Sequence, residues 1–314
     1  MSAAPLRAGV VGVGYLGRFH AQKYAVLGDC RLVGVADPDP ATRARVAAEV
    51  GCEAYADWHE MLGKVDVVSI ATPTPTHHEV TRAFLGAGAH VLVEKPITVT
   101  VAEAEDLIAC AARAERVLQV GHLERFNAAV QAIGGVITRP RFIESHRLAP
   151  FRTRGTDVSV VLDLMIHDID LIQSIVGAPL EAIDAVGSRV FSDDLDIANA
   201  RLRFHGGCVA NVTASRVSMK TERKIRVFQD DAYLSVDLQQ KILTVIRRGD
   251  ALAADGTPQV AIDERSYEQG DALKAEIEAF LHCARTGEPP LVGGAQGLAA
   301  LETATRIAAL VAAG

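Results

Sequence analysis

The chain has few aromatic residues and no excess of positive charge. Aromatics make up 5% of its 314 residues, whereas hydrophobic residues of all kinds make up 49%. Such a mixture, rich in alanine, valine and glycine, suits helices packed on parallel strands. The formal net charge of −7 argues against nucleic acid or an anionic membrane as the main partner. An anionic ligand would therefore have to be met by local arginines.

Cysteines are also scarce, and long apolar runs are missing. The five cysteines are widely scattered, without metal-ligand spacing or a dense disulfide pattern, which favours reduced thiols in a cytosolic protein. The apolar N-terminal run is interrupted by glycines and passes directly into a motif, so we expect no signal peptide. No apolar run is long and glycine-free enough to span a bilayer. These absences predict a soluble cytoplasmic protein.

The chain divides into two parts with different sequence patterns. Short β-branched runs alternate with helical patterns up to His122, which predicts a doubly wound parallel sheet with helices on both faces. Alternating segments at hairpin spacing follow and predict a large, open, mostly antiparallel sheet. Two helices, from about Asp271 to Arg285 and from Ala295 to Ala313, close the chain. We therefore predict an α/β protein with a Rossmann domain over residues 1–122 and an α+β domain over residues 123–314.

The segment GVVGVGYLGRFH follows a predicted strand and opens a predicted helix. Gly12, Gly14 and Gly17 have GxGxxG spacing, in which the glycines make a tight turn, admit a pyrophosphate and allow close helix packing. Tyr15 and Leu16 complete the turn, and we assign all five residues to a dinucleotide site. The motif alone is weak, and a glycine-rich turn without a ligand is the alternative.

Asp37 ends the second strand, CRLVGVAD, near the distance expected for an acidic residue that binds a ribose 2′-hydroxyl. A carboxylate there would repel the 2′-phosphate of NADP, so the sequence predicts NAD. The alternative is a turn or helix-capping aspartate within DPDP. Arg43 lies further along the chain, where a solvated helix charge is the alternative to a phosphate contact.

The third and fourth strands end in ATPTPTHH and VEKP, at the sheet edge that borders the ligand crevice. We expect this edge to meet the nicotinamide half of the cofactor through Thr72, Pro73, Glu94, Lys95 and Pro96. A lysine there can donate to a substrate hydroxyl oxygen and stabilise developing alkoxide charge. When Lys95 is considered alone, the alternative to a catalytic role is an ordinary surface lysine.

His77 and His78 follow the third strand as an adjacent pair. They lack a carboxylate or thiolate partner at metal-ligand spacing, so we predict no metal site there. His77 is assigned instead to the border of the cofactor.

The apolar stretch VLDLMIHDIDLI carries three aspartates and a histidine. With a helical period of about 100° per residue, Asp163, His167 and Asp170 share one face. Unpaired buried carboxylates are costly, so this face must meet a wet cleft, a ligand or paired charges. For a lone histidine, the alternative is a core residue whose hydrogen bonds are satisfied, but the flanking aspartates favour an active site. Asp168 falls on another face, where a structural pair or a cap is expected.

Arginines flank this helix in ESHRLAPFRTRG. Arg147, Arg152 and Arg154 can meet a diphosphate bidentately, and the alternative is that they are solvated loop charges. Arg125, in the ERFN segment, either contacts the substrate or anchors the two domains through an ion pair.

GxGxxG near the N-terminus, EKP after a middle strand and the Asp-x-x-x-His-x-x-Asp helix together resemble the Gfo/Idh/MocA family of oxidoreductases over essentially the whole chain. The resemblance implies a Rossmann domain, then an α/β domain whose sheet commonly builds the oligomer interface, here of a homodimer or homotetramer. It also implies oxidation or reduction of sugar and cyclitol hydroxyls with a nicotinamide cofactor. The catalytic positions of the family fall on Lys95, Asp163 and His167, with Asp170 one turn further on. Met165 departs from the glycine of many relatives.

VGHLERFNAAV and LDLMIHDIDLI resemble the subgroup of that family that oxidises C3 of UDP-N-acetylglucosamine, giving a keto sugar for amination in lipid A synthesis. His167 would then be the general base, because histidine titrates near neutral pH. Asp163 would orient the hydroxyl or the imidazole, Asp170 would fix the ring, and Lys95 would polarise the hydroxyl without a metal. The alternatives are an inositol or simple-sugar dehydrogenase and a NAD-binding sensor or scaffold.

Overall fold

The computed structural model describes residues 4–152, 158–252, 256–267 and 270–313. These residues form two compact units. The first unit contains the described residues up to Leu123 together with Asp271–Leu301. The second unit contains Glu124–Gly270 and the chain from Glu302 onward.

The first unit is built on a six-stranded parallel sheet. Its strands are β1 (Leu6–Val11), β2 (Cys30–Ala36), β3 (Glu53–Tyr55), β4 (Val67–Ile70), β5 (His90–Glu94) and β6 (Leu118–Gly121). They lie in the order β3-β2-β1-β4-β5-β6, and every adjacent pair is parallel. The order reverses between β1 and β4, which is where doubly wound sheets bind ligands. The predicted Rossmann fold is confirmed, and only the short strand β3 was not anticipated.

Helices accompany both sheets. The described residues contain α1 (Tyr15–Val26), α2 (Pro40–Val50), α3 (His77–Gly86), α4 (Val101–Ala114), α5 (Ala128–Ile133), α6 (Ile166–Val176), α7 (Ala272–Thr286) and α8 (Gly294–Ala313). Among the described residues, no helix combines the length and the apolar character needed to cross a membrane.

Local capping residues set several helix ends. The Asp39 side chain accepts the backbone N–H of Thr42 at the start of α2, which ends at Gly51 in the left-handed conformation. Thr100 and Glu103 form a reciprocal capping box at the start of α4. These ends follow from short-range sequence signals.

Helix α7 belongs to the first unit. Ile277, Phe280 and Leu281 are buried in the same core cluster as Val10 of β1 and Tyr24 of α1. The sequence predicts one domain over residues 123–314, but Asp271–Leu301 belong to the first unit. The reason is that an amphipathic pattern shows that a helix has a buried face but does not specify which core receives it.

The second unit is built on an eight-stranded sheet. Its strands are β7 (Pro140–Leu148), β8 (Leu180–Ser188), β9 (Ile197–Phe204), β10 (Val209–Ser215), β11 (Glu222–Gln229), β12 (Ala232–Asp237), β13 (Ile242–Leu252) and β14 (Pro258–Ser266). They lie in the order β14-β13-β12-β11-β7-β10-β9-β8. Only β7 and β10 pair in parallel, so the predicted mostly antiparallel sheet is confirmed. Edge strand β14, exposed along its whole length, was not anticipated.

Strand alternation positions the helix that carries the predicted catalytic face. Ala198, Ala200 and Leu202 of β9 are buried, and the residues between them are exposed. This two-residue period gives the sheet one buried face. Helix α6 contacts β7 and β10 near the middle of the strand order. The sheet therefore fixes α6 along its buried side.

Candidate active site

The glycine turn after β1 has the conformation and the space of a dinucleotide site. Gly12 has a φ of 79°, and a β-carbon there would lie 2.8 Å from the carbonyl oxygen of Ala71 and the backbone nitrogen of Thr72. A β-carbon on Gly17 would lie 1.8 Å from the carbonyl oxygen of Gly12. By contrast, a β-carbon on Gly14 would meet nothing within 4 Å. Gly12 and Gly17 are thus required by packing, whereas Gly14 leaves open space beside the backbone.

Asp37 joins the end of β2 to the glycine turn. One oxygen of its carboxylate accepts the backbone N–H of Val13 at 2.9 Å, and the other accepts that of Asp39 at 2.9 Å. Asp39, not Asp37, is the helix cap. A carboxylate offers about four lone-pair sites, so these two bonds leave acceptor capacity for ribose hydroxyls. The turn role and the ribose role are compatible, and the ribose role stays a prediction.

Arg43 is directed at the backbone of this turn. Its guanidinium donates to the carbonyl oxygens of Asp37 at 3.2 Å and Pro38 at 3.0 Å. The arginine therefore stabilises the turn after β2, which differs from the solvated helix charge considered from sequence.

A cleft of about 440 Å³ lies at the point where the strand order reverses. Four of the predicted cofactor residues line it, namely Gly12, Asp37, Thr72 and Pro73. Trp58 lines it too, and the sequence interpretation missed that residue. It is the only tryptophan in the chain and follows the short strand β3, which is a weak sequence signal for a site residue. The walls are largely apolar, with the carboxylates of Asp37 at the glycine turn and Asp57 beside Trp58, so the cleft is a candidate site for part of NAD.

A buried histidine contacts the turn that follows β5. His77 is 1% exposed, with Nδ1 2.9 Å from the carbonyl oxygen of Pro96 and Nε2 2.9 Å from that of Thr72. Burial lowers the pKa of His77 although both carbonyls favour its protonation. The His77 ring thus contacts both of the strand ends that we assigned to the nicotinamide half. Lys95, half-buried, precedes Pro96 through a cis peptide bond.

His78 has a different partner from its neighbour. Its Nε2 lies 2.8 Å from the carboxylate of Asp106 on α4. Tyr15 and Leu16, at the start of α1, are exposed, and the ring of Tyr15 meets that of Phe19 edge to face. Their assignment to the cofactor stays a prediction.

In the second unit, the predicted catalytic helix begins with a π-helical turn. Val161–Met165 forms this turn, and the backbone N–H of Ile166 reaches the carbonyl of Val161, five residues back. The expected continuous α-helical spacing therefore starts only at Ile166, between Asp163 and His167. Both of these side chains are half-buried. Single π-helical turns occur frequently at functional sites.

Asp168 takes part in a buried ion-pair network, as expected for its separate face. Arg147 donates from Nε to one carboxylate oxygen at 2.8 Å, from Nη2 to the other at 3.1 Å, and from Nη1 to Glu124 at 3.1 Å. Burial alone would lower the pKa of Arg147, but the two carboxylates raise it above the ordinary value. The predicted diphosphate role of Arg147 does not fit a guanidinium occupied in this way. Sequence could not identify this pairing because the partners are far apart along the chain.

Asp170 is 2% exposed and pairs with Arg125, whose Nη1 lies 3.5 Å from its Oδ1. This ion pair lies within the second unit. Arg152 is exposed, and Arg154 lies outside the described residues. The assignment of these residues to the substrate stays a prediction.

Comparisons with known proteins agree with both units. Residues 6–122 match the model of the Gfo/Idh/MocA oxidoreductase family with its NAD-binding Rossmann fold, and residues 129–235 match the C-terminal domain of the same family.

Two curated relatives span almost the whole chain. The UDP-N-acetylglucosamine 3-dehydrogenase of Acidithiobacillus ferrooxidans is 41% identical over 303 residues, which is 96% of both chains. The myo-inositol 2-dehydrogenase of Thermotoga maritima is 28% identical and covers 94% of this chain and 93% of its own. A solved structure of the Acidithiobacillus protein superposes with a TM-score of 0.94 at 40% identity, covering 99% of each chain.

Proposed function

Since this chain belongs to the Gfo/Idh/MocA family of oxidoreductases, we propose that it oxidises the C3 hydroxyl of UDP-N-acetylglucosamine with NAD, giving the 3-keto sugar nucleotide. The observation that carries the proposal is the 41% identity, over 96% of both chains, to a UDP-N-acetylglucosamine 3-dehydrogenase. Lys95, Asp163 and His167 supply the groups that such an oxidation needs.

The residues of the first unit fit NAD. The open space beside Gly14 admits a pyrophosphate at the N-terminus of α1, and the spare lone pairs of Asp37 accept ribose hydroxyls. A carboxylate at this position disfavours the additional phosphate of NADP. NAD, when bound, supplies the acceptor for the hydride that leaves the sugar carbon.

The side chains of this chain handle the proton and the charge. His167 removes the proton of the C3 hydroxyl, because a histidine exchanges a proton near neutral pH. Asp163 orients the hydroxyl or the imidazole. The Lys95 ammonium donates to the same oxygen and stabilises its negative charge while the carbonyl forms.

The diphosphate of the substrate requires cationic groups, since the net charge of the chain is −7. We assign this role to Arg152 and Arg154, and we place Arg125 with its partner Asp170 at the sugar end. Arg147 is left out, because Asp168 and Glu124 occupy its guanidinium.

The cellular setting follows from the same assignment. The keto sugar would be the substrate of an aminotransferase in lipid A or related amino-sugar synthesis. We place the enzyme in the cytoplasm, where nucleotide sugars and reduced thiols occur, as a homodimer or homotetramer assembled through the sheet of the second unit.

A second candidate is an inositol or simple-sugar dehydrogenase. The myo-inositol 2-dehydrogenase of Thermotoga maritima, 28% identical over 94% of this chain, favours it. It would use the same Lys95 and His167 on a free polyol and would not depend on Arg152. A NAD-binding sensor or scaffold would instead bind the cofactor without turnover.

The deciding assay follows nicotinamide absorbance after the purified chain is mixed with NAD and UDP-N-acetylglucosamine, with an amine reagent that traps the ketone. Myo-inositol and free N-acetylglucosamine are tested in parallel. Reduction of NAD only with the nucleotide sugar is expected. Reduction with a free polyol alone would move the assignment to the second candidate, and no reduction with any of the three, with NAD bound, would contradict both.

A further inference from the structure

A buried polar cluster lies behind the end of β5, outside the chemistry assigned above. His20 of α1, Glu94 of β5 and Glu276 of α7 each place a polar atom within 4.8 Å of the others. His20 is 1% exposed, Glu276 is 0% exposed, and the Glu94 side chain is 13% exposed. All three residues belong to the first unit. Two carboxylates in such a site need a physical explanation.

Glu94 has a defined partner. Its Oε1 lies 3.0 Å from Nε2 of His20, and Nδ1 of the same ring lies 3.0 Å from the hydroxyl of Ser69. That hydroxyl lies 2.9 Å from the phenol oxygen of Tyr24. This chain of contacts fixes the orientation of the ring and the position of the carboxylate. Burial alone would raise the pKa of Glu94, but the His20 hydrogen bond and the nearby charges of His20, Lys95 and His77 lower it.

Glu276 differs from Glu94 in its surroundings. Within the described residues, neither oxygen of its carboxyl group has a hydrogen-bond partner. Its backbone carbonyl, in contrast, accepts from the side chain of Gln119 at 3.1 Å. The titratable groups near the carboxyl are Glu94, His20 and Tyr24. Burial and the charge of Glu94 both raise the pKa of Glu276 well above its ordinary value.

We propose that Glu94 and Glu276 hold a single proton, that Glu276 carries it, and that Glu276 is therefore a positioning residue for Lys95. A neutral Glu276 avoids a second buried negative charge and leaves Glu94 as the anion beside His20. Because Glu94 directly precedes Lys95, the cluster sets the position and the counter-charge of the lysine. This catalytic part rests on the function proposed for Lys95, whereas the shared proton does not.

A proton explains the cluster better than a divalent cation does. The two ring nitrogens of His20 already contact Ser69 and Glu94 at ordinary hydrogen-bond distances. One proton on Glu276 neutralises the remaining charge without breaking these contacts.

The first test compares the thermal unfolding of the full chain and of Glu276→Gln from pH 5 to pH 9. A carboxyl group whose pKa is higher in the folded chain than in the unfolded chain makes its full contribution to stability below the unfolded pKa. This contribution is lost as the pH rises toward the folded pKa. Between the unfolded and the folded pKa of Glu276, the wild type should therefore lose about tenfold in its folding equilibrium constant per pH unit relative to the glutamine variant. Glu278→Gln, exposed on the same helix, is the matched control and should show no such trend.

The second test is an infrared spectrum at pH 7. The wild type should show the carbonyl stretch of a buried protonated carboxyl group, which Glu278→Gln keeps and Glu276→Gln loses. If the glutamine variant does not fold, the pH dependence of this band in the wild type still tests the proposal. Absence of the band at pH 7 would show that Glu276 carries no proton and would overturn the proposal. Manganese or zinc that raises the unfolding temperature of the wild type but not of the variant would overturn it as well.

The positioning role has its own readout. Turnover of the wild type should fall more steeply at alkaline pH than that of Glu276→Gln, because ionised Glu276 disturbs the strand end that carries Lys95. Identical profiles would overturn the positioning role. If no substrate is turned over, the proposed function fails, and the infrared and unfolding results still decide the shared proton separately.

Discussion

The guanidinium of Arg147 and the carboxylate of Asp168 form a buried bidentate pair, with nitrogen–oxygen distances of 2.8 and 3.1 Å. Glu124 completes the network at 3.1 Å. Asp168 directly follows His167 on α6, and Arg147 lies on β7. The pair therefore attaches the helix that carries the proposed general base to the sheet beneath it.

Replacing Arg147 tests this structural role. Arg147→Met leaves Asp168 as an uncompensated buried charge, so we expect a loss of about 3–5 kcal/mol in the free energy of unfolding. Urea denaturation measures it, and Arg152→Met, an exposed control, should stay within about 0.5 kcal/mol. If Arg147→Met instead kept wild-type stability and raised the KM for the nucleotide sugar, Arg147 would be a substrate-binding residue.

Lys95 and His167 should each be essential for turnover. Because positioned acid–base groups contribute at least about a hundredfold, Lys95→Ala and His167→Ala should each lower kcat by that factor or more while NAD still binds. Steady-state rates and a NAD titration measure the two effects. Lys274→Ala and His282→Ala, at exposed positions of α7, are the controls. Near-wild-type rates in either active-site variant would reject the proposed chemistry.

Asp37 should set the choice of cofactor. Asp37→Asn loses the charge next to the glycine turn, and a hydrogen bond to a charged group contributes about 1.5–3 kcal/mol, so the Kd for NAD should rise about tenfold to a hundredfold. Discrimination against NADP should weaken at the same time. Fluorescence titration with both cofactors measures the change, with Asp29→Asn, at an exposed position just before β2, as the control. Unchanged preference for NAD would refute the ribose contact.

Asp196 should make the second unit sensitive to acid. Although burial alone would raise the pKa of Asp196, the Ser192 hydroxyl and the backbone N–H groups of Val190, Phe191 and Ser192 lower it. A depressed folded pKa gives stability above the unfolded value of about 3.9, which is lost as the pH falls.

Asp196→Asn should therefore destabilise the chain at pH 7, and the difference from the wild type should shrink below about pH 4. Thermal unfolding as a function of pH measures this difference, with the exposed Asp230→Asn as control. A difference that stays constant down to pH 3 would show that the charge of Asp196 contributes nothing.

Local signals predicted much of the fold, including the glycine turn after β1. The glycine spacing specified the turn after β1 because Gly12 has a φ of 79° and a β-carbon on Gly17 would lie 1.8 Å from the carbonyl oxygen of Gly12 in the same turn. The alternation of buried and exposed residues along a strand and the capping of helix ends also depend on residues that are close together in the sequence. Consequently the Rossmann topology could be obtained from sequence.

Long-range partners could not be predicted in this way. Arg147 pairs with Asp168, and Glu276 joins His20 and Glu94, through packing that brings distant segments together. The sequence pattern showed that these groups are polar but not which of them are buried. The π-helical turn Val161–Met165 was missed for a related reason, since periodicity assumes one regular spacing throughout a helix.

The most direct test of the central claim uses UDP-N-acetylglucosamine that carries deuterium at C3. Mass spectrometry of the NADH formed shows whether the hydride comes from that carbon. Our account predicts one deuterium in each NADH and none when the label is at C4. Unlabelled NADH from the C3-labelled sugar nucleotide would contradict oxidation at C3.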